Sequence, residues 1–190
     1  MVSLTQLWLP ILLSAVGVFI ASSVFHMLLK FWHMPDYHGF SNDDEVRAAI
    51  LKGNPKPGMY MMPFCSMEEM GKPEVQQKFK EGPVGLVFMR PNGMMNMGIS
   101  MSQWFGFCLL VPLFAAYVAA ATLTMITTDM QVLRVVGTVA FMAFAMGEIP
   151  SGIWWSHPWK SVAKHMIDGL VYALITGAIF AWLWPQPLGG

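Results

Sequence analysis

Eight tryptophans lie at the ends of four long apolar runs, and they constrain the fold of this chain more than any other feature. Indole rings collect at the headgroup level of a bilayer, because the ring is largely apolar while its N–H prefers a polar partner. The runs cover residues 7–31, 103–126, 132–155 and 162–184. Each holds about 22 to 25 residues, enough to cross about 30 Å of hydrocarbon as a helix. The sequence therefore predicts four membrane-spanning helices, which are bounded by Trp8, Trp32, Trp104, Trp154, Trp155, Trp159, Trp182 and Trp184.

The composition agrees with a chain that lies mostly in lipid. Hydrophobic residues make up 55% of the sequence and charged residues 12%, whereas soluble domains carry about 25% charged residues. The formal net charge is +0, and no basic stripe suggests a nucleic-acid partner. Cys65 lies in a polar segment and Cys108 inside an apolar run, so we expect two free thiols.

Small residues recur at helix-packing spacing within the apolar runs. The clearest stripe is in the last run, where Gly169, Ala173, Gly177 and Ala181 follow one another at every fourth position. Such stripes let helices approach closely in lipid, either within one bundle or against another subunit. No basic residue precedes the first run, so we expect a permanent span and not a signal peptide.

The predicted fold is an all-α membrane protein, a four-transmembrane-helix bundle with a small α+β extramembrane segment between helices 1 and 2. Its parts are residues 1–31 for helix 1, 32–102 for the extramembrane segment and 103–190 for helices 2 to 4. Within the segment we predict a helix that starts at the capped, acidic stretch 41–45 and stops at Gly53, a second helix over 73–81, and strands over 59–64 and 84–89. The turn at Pro91-Asn92-Gly93 is expected to fold the second strand back on residues 94–101 as a hairpin.

The distribution of basic residues predicts the orientation of the spans. Lys30, Lys160 and Lys164 flank the membrane on the side of the 32–102 segment, whereas Arg134 is the one base on the opposite side. Basic residues near the ends of spans remain in the cytoplasm. We therefore expect a cytoplasmic 32–102 segment and two termini outside.

Ionisable side chains inside the predicted spans fall at a common depth. His26, Glu148 and His165 each lie six residues from a bounding tryptophan, which places them about 9 Å below the ring belt on the loop side. Asp168 and Tyr172 share a helical face with His165, because the spacings are three and four residues. Charged groups in hydrocarbon are costly and usually face protein partners. We therefore predict an intramembrane polar cluster of these five residues.

Two interpretations of this cluster are open. In the first, His26, His165 and a carboxylate bind zinc, iron or manganese, or Glu148 serves in a proton relay. In the second, the groups form hydrogen bonds between helices, for example His26 with Glu148 and His165 with Asp168. Lys164 could also neutralise Asp168. The second interpretation is favoured, because no dense ligand motif such as His-x-x-x-His is present.

Further candidate metal ligands lie outside the apolar runs. His33 and His38 flank the exit of the first span and could join Cys65, although such residues are more often interfacial side chains. Most of the 18 methionines lie between Trp32 and Gln103, in clusters that resemble the thioether sites of copper(I) handlers. The alternative is that methionine is flexible apolar filler. The predicted cytoplasmic location favours filler, because a copper site there would be richer in cysteine.

Several short motifs carry a family resemblance over most of the chain. They are Gly82-Pro-Val-Gly85, Pro91-Asn-Gly93 with Met97-Gly98, His157-Pro-Trp-Lys160, Asp168-Gly-Leu-Val-Tyr172 and Trp182-Leu-Trp-Pro185. With these motifs the chain resembles an uncharacterised family of small polytopic bacterial inner-membrane proteins. The resemblance implies a multi-pass protein of the bacterial inner (plasma) membrane and implies no catalytic residue.

The sequence favours a protein without catalytic activity. It contains no nucleotide-binding loop, nucleophile elbow or zinc-protease motif. We therefore expect an accessory, assembly or scaffolding component of a membrane complex, whose partners are the bilayer and either another membrane protein or a second copy. The alternatives are a metal-handling protein or metal-dependent membrane enzyme (copper, zinc or iron) and a small transporter. A transition metal is the one candidate cofactor.

Overall fold

The computed structural model describes residues 2–187, and within them four helices are long and apolar enough to cross a membrane. These candidate spans are Leu4–Leu28, Met97–Thr122, Asp129–Trp154 and Trp159–Trp182. Each lies within a few residues of a predicted span. The chain divides into two compact units, one of Met1–Tyr37 with Asn96–Gly190 and the other of His38–Met95.

The first span is not one continuous α-helix. It begins where the Ser3 hydroxyl and the Gln6 side chain cap each other's backbone N–H groups. Near its end the α-helix changes to a π-helical turn. Helical geometry is then interrupted at Leu29, where φ is −85° and ψ is 63°. The elements in order are a 3-10 turn Leu4–Leu7, α1 Trp8–Ser23, a π-helical turn Val24–Leu28, α2 Lys30–His33 and a 3-10 turn Met34–Asp36.

The third span is interrupted in the same way. Its helix starts at a capping box between Thr128 and Gln131 and is followed by a π-helical turn and a new helix that has Pro150 in its first turn. Proline is tolerated there because the first-turn N–H groups lack intrahelical partners. The remaining elements of this unit are α5 Met97–Thr122, α6 Asp129–Phe141, the π turn Met142–Met146, α7 Glu148–Trp154 and α8 Trp159–Trp182.

Helix α8 is the central helix of the first unit. In its most apolar window 44% of the residues are buried, compared with 22% in the first span. Its glycines explain the close packing, because a Cβ at Gly177 would lie 3.1 Å from the Leu133 carbonyl oxygen and 3.3 Å from the Gly137 Cα. The small-residue stripe of α8 thus packs against another helix of the same chain.

The second unit contains two helices and a two-stranded antiparallel sheet. Its elements are α3 Asp43–Lys52, β1 Gly58–Met62, α4 Pro73–Glu81 and β2 Gly85–Met89, and the pairing runs from Gly58 with Met89 to Met62 with Gly85. The expected hairpin of 84–89 with 94–101 is wrong. The Asn96 side chain accepts the Ile99 N–H and starts α5, so residues 97–101 are helical and β2 pairs with β1 instead.

Candidate metal centre

The break at Leu29 brings two histidines of the N-terminal segment together. His26 lies in the π turn and His33 at the end of α2. In a continuous helix, residues seven apart would be separated by about 10.5 Å along the axis. Here the rings stack with centroids 4.4 Å apart. The His165 ring, from α8, stacks on the His33 ring with a centroid distance of 4.7 Å.

Asp168 connects this histidine stack to α8. Its side chain is 2% exposed, and both carboxylate oxygens are hydrogen-bonded. The Trp32 indole N–H donates to Oδ1 at 2.8 Å, and His33 Nε2 donates to Oδ2 at 2.6 Å. The ligand atoms of His26, His33 and Asp168 all lie within 4.8 Å of one another. Two imidazole nitrogens and one carboxylate oxygen therefore converge on one point.

Lys164, one helical turn before Asp168 on α8, holds the same N-terminal segment. Its ammonium donates to Asp36 Oδ1 at 2.6 Å and to the backbone carbonyl oxygen of Trp32. The expected neutralisation of Asp168 by Lys164 is therefore corrected, because the turn after α2 brings Asp36 to the ammonium. The hydrogen bond and charge of Lys164 lower the pKa of Asp36 below its usual value.

The Asp36–Lys164 pair predicts a stability change at low pH. Because the folded-state pKa of Asp36 is depressed, its stabilising contribution is present above the usual value of 3.8 and is lost as the pH falls through the folded value. The stability gap between wild type and Asp36→Asn should therefore be full near neutral pH and should close in acid. Thermal unfolding in detergent between about pH 7 and about pH 3 measures it. A gap that is the same at every pH would contradict the pairing.

A control for that series is available in the second unit. Asp44 pairs with Arg47 at 3.1 Å, but both side chains are exposed. Exposed pairs contribute little to stability because water and salt screen them. Asp44→Asn should therefore leave the unfolding temperature close to that of wild type throughout the same series.

A cavity of about 300 Å³ lies beside the histidine stack. All five residues of the polar cluster expected from the sequence line it, namely His26, Glu148, His165, Asp168 and Tyr172. Aromatic rings of Trp104, Phe107 and Phe144 complete much of the wall. The hydrogen bonds suggested for this cluster were His26 with Glu148 and His165 with Asp168. In the structure, Asp168 instead bonds to Trp32 and His33.

Both π-helical turns border this region. The turn Val24–Leu28 contains His26, and the turn Met142–Met146 contributes Phe144 to the cavity wall. A π turn adds a residue to a helical turn and redirects the side chains that follow it, and such turns are frequent at functional sites. The 3.6-residue pattern of an apolar run gives no sign of them. Their positions explain why the sequence grouped five residues that line one cavity but assigned their partners wrongly.

Of the other candidate ligands, His165 and Glu148 line the cavity but do not belong to the converging group, and His38 and Cys65 lie in the second unit. His38 is exposed, and Cys65 is half-buried with a free thiol. Many methionines of this unit are exposed, including Met59 at 67% and Met94 at 99%. Among residues 2–187, the group of metal-ligating side chains that the structure brings together is the one of His26, His33 and Asp168.

Two partners in the site were missed in the sequence. Trp32 was assigned to the headgroup belt, yet its N–H is bonded to Asp168. Asp36 has no role in the sequence-based prediction, yet it pairs with Lys164. One signal could have found the second pair: Asp36 is the first acid after the first apolar run, and Lys164 is the one lysine within the apolar run 162–184.

Comparison with known proteins gives no match. No protein-family model, no curated protein and no solved structure matches this chain. Function must therefore be argued from the side chains themselves.

Proposed function

We propose that this chain is a multi-pass membrane protein that binds a divalent transition metal ion at His26, His33 and Asp168. The observation that carries the proposal is the convergence of three ligand atoms within 4.8 Å, from two separate parts of the chain. Metal ligands held by elements distant in sequence need a folded scaffold, and the Lys164–Asp36 pair and the Trp32–Asp168 bond supply it here.

The donor set favours zinc, iron or manganese over copper(I). Imidazole nitrogen and carboxylate oxygen suit these divalent ions, whereas copper(I) prefers thiolate and thioether sulfur. Around a tetrahedral ion, neighbouring ligand atoms are about 3.3 Å apart. His33 Nε2 and Asp168 Oδ2, now 2.6 Å apart, need to separate by less than an ångström as the ion replaces the shared proton. His26 is the exposed ligand of the three, so the ion can reach the site on the side of the His26 ring.

The charges around the site also suit a divalent cation. Lys164 is paired with Asp36, so its charge is already neutralised. Asp168 and Glu148 line the same cavity and supply two carboxylates. A divalent ion would offset the negative charge of these carboxylates in a region of low dielectric constant.

Cobalt(II) titration of the purified protein tests this function. Cobalt replaces zinc or iron in nitrogen and oxygen sites and gives visible absorption that reports ligand number. We expect one ion per chain and a saturable spectrum in detergent-solubilised protein. Elemental analysis of the natively purified protein is the companion measurement. The metal-binding function is wrong if neither experiment detects an ion above background.

The same contacts support a second candidate, the accessory or scaffolding role. The bonds of Asp168 to Trp32 and His33 are complete without an ion and hold residues 32 and 33 on α8. The exposed methionines of the second unit offer an adaptable apolar surface for another protein. A protein that lacks metal but copurifies with stoichiometric partners in mild detergent would favour this role.

For the location, we propose the bacterial inner membrane, with both termini outside and residues 32–102 in the cytoplasm. The four apolar helices support a membrane location, and Lys30, Lys160 and Lys164, at the span ends that adjoin residues 32–102 and 155–161, support this orientation. A Ser41→Cys reporter should resist a membrane-impermeant thiol reagent in intact cells, in a background where Cys65 and Cys108 are replaced by serine. The matched Ser3→Cys variant, exposed at the other end of the first span, should react. Labelling at residue 41 with protection at residue 3 would reverse the orientation.

A further inference from the structure

We propose that the cavity beside the metal site binds a neutral, lipid-soluble aromatic carbonyl compound, with the Tyr172 hydroxyl donating a hydrogen bond to the carbonyl oxygen. The inference rests on the proposed function, because the cavity shares His26 and Asp168 with the metal site and its ligand comes from the bilayer. It adds a ligand class and a donor that the metal site itself does not require.

The first reason to propose a ligand in this cavity is the Tyr172 hydroxyl. Tyr172 is 4% exposed, and its hydroxyl oxygen is buried without a hydrogen-bond partner among residues 2–187. Buried polar side-chain atoms are nearly always satisfied, so an unsatisfied hydroxyl that lines a cavity indicates a missing partner. A phenol donates one hydrogen bond, and a carbonyl oxygen accepts it.

The cavity walls indicate the shape of the ligand. Phe144 meets Tyr172 and Phe107 edge to face, with centroid distances of 5.6 Å in both pairs. Trp104 also lines the cavity, but its N–H already donates to the Ser22 hydroxyl at 2.8 Å. The aromatic walls therefore offer rings for stacking, and Tyr172 offers the free donor. A volume of about 300 Å³ is at the lower end of the range for ligand pockets, which suits a molecule built on one ring.

The charges indicate a neutral ligand. Glu148 and Asp168 repel an anion, and the metal ion that balances them removes the attraction for a cation. Phe107 lines the cavity and is 38% exposed on a helix that is apolar enough to cross a membrane. The ligand therefore enters from the lipid side, and this route admits neutral molecules far more readily than charged ones.

Infrared spectroscopy of a labelled ketone tests the proposal directly. The probe is 4-butylacetophenone with a ¹³C carbonyl, added to the full chain in lipid nanodiscs with and without cobalt(II). Binding should produce a saturable carbonyl band at lower frequency than that of the ketone in lipid, because the Tyr172 hydroxyl donates to it. Tyr172→Phe should lose this band and weaken binding about tenfold, the equivalent of one hydrogen bond.

Matched variants control for indirect effects. Tyr117→Phe removes a hydroxyl from an exposed tyrosine of α5 and should leave the band unchanged. Ala143→Leu fills the cavity while keeping Tyr172, and it should also abolish the band. Thermal unfolding of each variant in the same nanodiscs shows that it is folded.

The outcomes separate the two proposals. A shifted band without any cobalt spectrum would overturn the metal function and leave the cavity proposal standing. Normal cobalt binding with the same band in wild type and Tyr172→Phe would overturn the cavity proposal. Tighter saturable binding of benzoate or benzylammonium than of the ketone would overturn the neutral ligand.

Discussion

Replacing Asp168 by alanine should remove metal binding and destabilise the first unit by about 3–5 kcal/mol, the usual effect of removing one partner from a buried polar pair. The carboxylate is 2% exposed and accepts hydrogen bonds from both Trp32 and His33. Without it, the two donors lose their acceptor inside the helix bundle. Loss of a direct ligand should weaken cobalt(II) affinity by more than the ~10–100-fold that follows changes in residues behind the ligands.

The Asp168→Asn variant separates the effect on stability from the effect on metal binding. Its amide oxygen can still accept the Trp32 N–H, so stability should fall less than in Asp168→Ala, whereas the lost negative charge should still abolish tight metal binding. Asp129→Asn, at the exposed start of α6, is the matched control and should change unfolding by no more than ~1 kcal/mol. Visible absorption and thermal unfolding in one detergent measure both quantities. Wild-type cobalt affinity in Asp168→Asn would exclude this carboxylate as a ligand.

Adding one methyl group at Gly169 should also have a large effect. A Cβ there would lie 2.8 Å from the Ala145 Cβ, 3.0 Å from the Ala145 Cα and 3.0 Å from the Phe144 backbone carbon. Two of these atoms are backbone and cannot rotate away. Helix α8 must therefore move away from the π turn Met142–Met146, so Gly169→Ala should destabilise the protein by about 1–3 kcal/mol.

The matched control for this variant is Gly106→Ala on α5. A Cβ at Gly106 has no neighbour within 4 Å among the described residues, so the change should be neutral or should stabilise the helix by up to ~1 kcal/mol. Unfolding temperatures of the two variants are compared in the same detergent. Equal stability of Gly169→Ala and Gly106→Ala would show that the helices are not packed as closely as the structure has them.

The spans could be predicted from the sequence because hydropathy over some twenty residues averages out local irregularities. The grouping of the five cluster residues around one cavity also followed, since residues counted from Trp154 and Trp159 lie on nearly regular helices. Partner choice did not follow, because Lys164 and Asp168 select partners that reach them through the break at Leu29. The hairpin expected around Gly93 was wrong, because a local turn signal cannot show that β1, more than twenty residues earlier, is the pairing partner.

Location at the headgroup level accounts for only some of the tryptophans at the ends of the apolar runs. Trp8, Trp154 and Trp182 are exposed, as rings at a headgroup level would be. Trp32, Trp104 and Trp184 instead donate their N–H groups to Asp168, Ser22 and the Thr124 carbonyl. An indole ring can lie at the headgroup level or donate its N–H to another part of the protein. Its position in the sequence therefore marks the end of a helix but does not show which of these two roles it has.

The pairing of the first helix with the last has a consequence for biosynthesis. His26 and His33 leave the ribosome early, whereas Asp168 belongs to α8, which is made much later. Chains emerge at about 5–20 residues per second, so the two histidines wait several seconds for their carboxylate partner. During that interval, Trp32 and Asp36 lack Asp168 and Lys164, their partners on α8. Completion of the cluster therefore requires synthesis of α8, and a ribosome-stalled chain lacking α8 cannot form it.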